Sequence, residues 1–168
     1  PMAKNGFLVL DSDMHLLEPF DLWQRFLEPA YRDRAPMGTQ NGPRDIGLVF
    51  DGVPPNRTDT SHWNPALGAH MQSTAHDYDF AVERGWDSHS QLEAMDREGV
   101  DVAVLYPSRG LFVLGLDSSE TVGEKGLEPD FASAIARAYN NWLYDFCATD
   151  RERLLAAAMV APHDVASA

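Results

Sequence analysis

The stretch Phe7-Leu8-Val9-Leu10-Asp11-Ser12-Asp13-Met14-His15-Leu16-Leu17-Glu18-Pro19 constrains this chain more than any other. It opens on four apolar residues, the pattern of a strand buried in a parallel sheet. It then turns polar at Asp11, Asp13 and His15. Residues two apart in a strand share a face, so the spacing predicts two carboxylates and an imidazole projecting together from the strand's C-terminal end. Burying such groups is unfavourable without a cation or a hydrogen-bond network. A divalent metal meets that need, and carboxylate oxygen with imidazole nitrogen is ordinary ligation for Zn²⁺ or Mn²⁺. The bland alternative is an Asp/Ser cluster that caps a following helix or shapes a turn.

The run from Asp11 to Pro19 resembles the N-terminal signature of the amidohydrolase-related family, metal-dependent (β/α)₈-barrel enzymes that include aminocarboxymuconate-semialdehyde decarboxylase-like members. Two further blocks carry the same resemblance: Leu92-Glu93-Ala94-Met95-Asp96-Arg97-Glu98-Gly99-Val100-Asp101 and Ala138-Tyr139-Asn140-Asn141-Trp142-Leu143. The resemblance implies that Asp13 and His15 are metal ligands, an acidic residue-x-His pair in which Asp stands where better-known members carry His or Glu. It implies that Asp11 supports the pair from just outside the metal's own ligands, and it assigns no role to Glu18 or Pro19. The remaining ligands and the catalytic His and Asp are expected on later strands. The implied cofactor is one divalent ion, Zn²⁺ before Mn²⁺, and the implied assembly is a homodimer.

Length qualifies that expectation. A (β/α)₈ barrel needs ~250 residues, and this chain has 168. The strand signals support about three barrel strands. The predicted fold is therefore α/β, the N-terminal portion of a barrel over residues 1–168, completed by the same gene or by a second chain. A small complete α/β domain is the alternative. The stop at Ala168, where another helix is due, fits the first reading.

After the signature, Leu22, Trp23, Phe26 and Leu27 recur at helical spacing between Pro19 and Pro29, with the two aromatics read as core or lid packing sooner than a binding box. Residues 30–87 are rich in Gly, Pro, Asn and Asp. They are predicted as a loop-rich insertion after strand 1, lying on the barrel's active side. Within it, Ile46–Phe50 reads as a strand entering a hairpin at Asp51-Gly52 and closed by Val53-Pro54-Pro55. His62, Trp63, His70 and His76 are read as solvated loop residues sooner than substrate contacts. Ser88 and Gln91 suggest a capping box for a helix that ends at Gly99. Val100–Tyr106 reads as a buried strand ended by Pro107. A loop is expected over 110–129. An amphipathic helix then starts at Pro129-Asp130 and carries Cys147 as a buried structural thiol. Leu154–Val160 is the third strand, with His163 at its end.

Tyr106, Ser108 and Arg109 follow the second strand's C-terminal end, where barrel enzymes place function. There Arg109 is read as a bidentate clamp for a small carboxylate substrate. The reaction expected is hydrolysis or non-oxidative decarboxylation of a small aromatic or unsaturated acid. The competing class is a non-catalytic binding domain without metal. A net charge of −13 argues against nucleic acid, which needs a basic patch. No apolar run approaches a membrane span and no signal peptide is evident, so no membrane partner and a cytoplasmic location are expected.

Overall fold

The computed structural model describes residues 5–40, 46–49, 76–114, 127–162 and 165. In chain order the elements are β1 (Leu10–His15), α1 (Leu22–Phe26), a 3₁₀ turn (Pro29–Arg34), β2 (Met37–Gly38), β3 (Leu48–Val49), α2 (Asp79–Glu83), α3 (Ser88–Glu98), β4 (Val102–Tyr106), α4 (Arg109–Val113), α5 (Pro129–Cys147) and β5 (Leu154–Ala156). Strands β1, β4 and β5 pair in parallel in that order, and β2 and β3 form a separate antiparallel pair.

The parallel sheet buries one face. Ala103, Leu105 and Leu154 lie under helices, and α5 packs on β5 and on α1. Phe131, Ile135, Tyr139 and Leu143 of α5 share the buried core with Trp23 of α1, whose indole N–H donates to the Ile135 carbonyl at 3.4 Å. Met14, paired with Leu105, points to the same side and accepts from the Gln91 amide of α3 at 2.9 Å. Cys147 is buried, and burial pushes its thiol pKa up. Helix α3 ends as its sequence predicts, on Gly99 in the left-handed region (φ 75°), where a side chain is strained. Below the sheet, Asp101 and Val9 exchange hydrogen bonds, and Arg153 donates to the carbonyls of Asp101 and Val100. Among the described residues no helix is long and apolar enough to cross a membrane.

Several expectations change. The apolar head of the first strand is not buried: Phe7 is 72 % and Leu8 65 % exposed. Pairing with β4 begins only at Leu10 opposite Val102, so the residues before it have no covering layer among those described. Asp87, not Ser88, caps α3, its carboxylate accepting from Ser90 N–H at 2.8 Å. Strand β3 pairs backward with β2, Gly38 opposite Leu48 and Met37 opposite Val49; the hairpin expected at Asp51-Gly52 lies outside the described residues. Residues 110–113, expected as loop, belong to α4, and β5, expected to run from Leu154 to Val160, ends at Ala156, its last ladder bond running from Ala157 N–H to the Leu105 carbonyl at 3.1 Å.

Candidate functional site

The C-terminal ends of β1 and β4 lie side by side, joined by Leu16 N–H to the Tyr106 carbonyl at 2.9 Å. The chain there does not keep the strict alternation that its sequence suggests. Asp11 pairs with Ala103 and Met14 with Leu105, so Ser12 and Asp13 together stand opposite Val104. This is a β-bulge, one extra residue on one strand. Its consequence is direct. Paired neighbours share a face, so Asp11 falls on the helix-covered side with Ala103, while His15 falls on the other side with Tyr106. Asp11, Asp13 and His15 are not a single row.

Asp13 and His15 are brought together. Asp13 Oδ1 is 3.7 Å from His15 Nε2, and both side chains are open, 80 % and 47 % exposed. Asp11 instead braces the bulge, accepting the Asp13 backbone N–H at 2.9 Å. His15 Nδ1 lies 2.7 Å from the Pro107 carbonyl. A carbonyl only accepts, so Nδ1 carries the proton in the neutral ring and Nε2 presents its lone pair on the Asp13 side. That is the second-partner arrangement that prepares an imidazole to ligate a metal.

The donor set fits an O/N-ligated divalent ion in kind but supplies only part of a site. Among the described residues no group of three or more His, Cys, Asp or Glu is placed to hold a metal, whereas zinc centres take three or four protein ligands. His163 lies outside the described residues, as do His62, Trp63 and His70. His76 is exposed on the surface, 3.1 Å from Asp79.

The three residues after β4 are placed differently from one another. Tyr106 is half-buried, its ring centroid 6.2 Å from that of His15. Ser108 lines a cleft of about 390 Å³ together with Met14, His15, Leu17, Trp86 and Gln91. Arg109 is 4 % exposed, and its guanidinium donates to the Glu18 carbonyl at 3.1 Å and to the Gly47 carbonyl at 2.5 Å. It ties the end of β1 to β3. The neighbouring cavity of about 640 Å³ runs between Phe20, Arg84 and the α5 side chains Trp142 and Phe146.

Glu18 is the residue whose part sequence reasoning missed. It is 1 % exposed, and its carboxylate accepts the backbone N–H groups of Ser108, Arg109 and Gly110 at 2.9–3.0 Å. Burial pushes its pKa above the usual carboxylate value, and the three N–H bonds pull it back only in part. The available signal was an acid inside the apolar run Leu16-Leu17-Glu18-Pro19.

No family model and no curated protein matches the chain. Among solved structures, the chain is similar to an amidohydrolase from Mycobacterium avium subsp. paratuberculosis, at 20% identity and a TM-score of 0.59. The similarity covers 95% of this chain and 44% of the other. The chain thus spans less than half the length of that amidohydrolase and shares its fold over that part.

Proposed function

We propose that the chain is the N-terminal part of a metal-dependent enzyme of the amidohydrolase superfamily, a hydrolase or non-oxidative decarboxylase acting on a small aromatic or unsaturated carboxylic acid. The observation that carries this reading is His15, its Nδ1 proton held by Pro107 and its Nε2 facing Asp13 at the C-terminal end of a parallel sheet. The similarity in fold to an amidohydrolase supports it. Asp13 and His15 would hold a Zn²⁺ or Mn²⁺ ion together with ligands from later strands. When bound, such an ion lowers the pKa of a ligated water or polarises a substrate oxygen.

The chain's own residues do the rest at this end of the sheet. Pro107 holds the proton on Nδ1, Asp11 fixes the bulge that carries Asp13, and Tyr106 and Ser108 face the approach to His15. Arg109 is occupied with chain carbonyls, so the substrate carboxylate is assigned to a group other than its guanidinium.

Elemental analysis of the intact protein, purified without chelator, tests the reading. About one Zn²⁺ or Mn²⁺ per chain is expected, as a single-metal site requires, with loss of the ion in the Asp13→Ala/His15→Ala variant. No metal in the intact protein, even after adding Zn²⁺ or Mn²⁺, overturns it in favour of a non-catalytic binding domain.

A further inference from the structure

We propose that Glu18 is a positioning residue for His15, acting through the turn at Pro107–Gly110; the inference rests on the reading of His15 as a metal ligand. The Pro107 carbonyl that fixes the His15 ring is the first group of that turn, and the next three backbone N–H groups all end on the Glu18 carboxylate. The turn is thus gripped from both sides by one stretch of chain: His15 takes its carbonyl, and Glu18, three residues on, takes its amides.

The Glu18 end of this grip is buried. Arg109 N–H and Gly110 N–H are buried where they meet Glu18. A Cβ at Gly110 would lie against the Met159 terminal methyl and within 2.9 Å of Pro107 Cβ, so the turn is closely packed at this point. Arg109 Nε adds a further bond back to the Glu18 carbonyl.

A carboxylate is an expensive choice if the only task were to satisfy three amides at the start of a short helix. Those N–H groups are normally met by a local Ser, Asp or Asn or by water. Burying a carboxyl carries a desolvation penalty. Here the acid comes from 90–92 residues away in sequence and bridges the two strand ends that carry the candidate site. Its position relative to Pro107 therefore sets where the acceptor for His15 Nδ1 lies. With that acceptor displaced, the imidazole reverts toward the Nε2–H tautomer that neutral imidazole side chains prefer in water, which occupies the nitrogen meant for the ion.

The test reads the His15 ring directly. Nitrogen NMR of the intact, metal-free protein, well above the ordinary imidazole pKa of about 6.5, is expected to show the Nδ1–H tautomer alone. Glu18→Gln keeps the volume and one acceptor oxygen but sets an amide NH₂ against a backbone N–H. It is expected to fold and to shift the ring toward a tautomer mixture, with Zn²⁺ affinity weakened about tenfold; Glu18→Ala is expected to shift it further.

An Nε2–H ring in the wild type, or a folded Glu18→Gln protein with an unchanged ring, overturns the proposal. Failure of both variants to fold also overturns it, assigning Glu18 to folding alone. A wild type that binds no Zn²⁺, yet whose ring responds to Glu18→Gln, upholds the coupling while removing the metal reading.

Discussion

The Tyr139 hydroxyl is buried with no hydrogen-bond partner among the described residues. Burial, with the nearby charge of Glu18 adding to it, drives the Tyr139 phenol pKa far up, so the group stays neutral at any working pH. An unpaired buried hydroxyl weakens a fold by roughly 1–3 kcal/mol. Tyr139→Phe removes that penalty and keeps the ring packed against Trp142 at a centroid distance of 5.6 Å. Thermal and urea unfolding are expected to show a variant at least as stable as wild type, with a gain of about 1 kcal/mol; a clear loss would mean that the hydroxyl has a partner. Arg109 behaves in the opposite way. Two of its guanidinium bonds go to carbonyls on separate segments, each charge-assisted bond contributing about 1.5–3 kcal/mol. Arg109→Met is expected to destabilise by about 3 kcal/mol and to release the Thr39 amide, which donates to the Gly47 carbonyl at 2.8 Å, to hydrogen exchange. A stable Arg109→Met protein would show that these bonds contribute little to holding the fold.

Helix α3 shows what a local cap contributes. Burial acts to raise the Asp87 pKa, but its bond from Ser90 N–H and its contact with Arg84 outweigh that and hold it below its ordinary value of 3.8. A carboxyl depressed in the folded state stabilises above its unfolded pKa, and that contribution is lost as pH falls through the folded value. Asp87→Ala is therefore expected to lose about 1 kcal/mol near neutrality. Its gap from wild type should close as the pH is lowered past 3.8. A gap that persists in acid would assign the effect to packing. The same helix shows how far elements can be read from residues alone. Gly99, the amphipathic period of α5 and the apolar run of β4 are local signals, and each element formed where its signal lay. The bulge in β1 has no such signal. It exists only in the register between Asp11-Met14 and Ala103-Leu105, which no single segment encodes. Alternation correctly brought Asp13 to His15 and wrongly added Asp11. Arg109 at a strand end reads as a ligand clamp until Glu18 and Gly47, distant in sequence, are seen to hold it.

At the scale of the whole molecule, the parallel sheet is finished on one side only. Such sheets are normally covered on both faces, yet among the described residues the face opposite the helices presents Leu10 at 54 % exposure and Leu155 at 40 %, beside the half-buried Val102 and Val104. Strands β1 and β5 each have one partner, so each leaves one edge unpaired among those residues. A barrel closed by further strands would turn this face inward, and a small complete domain would leave it wet. The two architectures give opposite signs to one substitution. In the 168-residue chain by itself, Leu10→Lys with Leu155→Lys replaces exposed apolar groups. Stability should stay within about 0.5 kcal/mol per site, while binding of a hydrophobic dye and self-association fall. In the intact protein the same pair would place two ammonium groups inside a packed barrel, where burying unpaired charge costs several kcal/mol. Unfolding midpoints measured in both settings decide between them. A loss confined to the intact protein identifies the bare face as the barrel interior, and equal tolerance in both means the sheet ends here and the site at His15 must be completed from elsewhere.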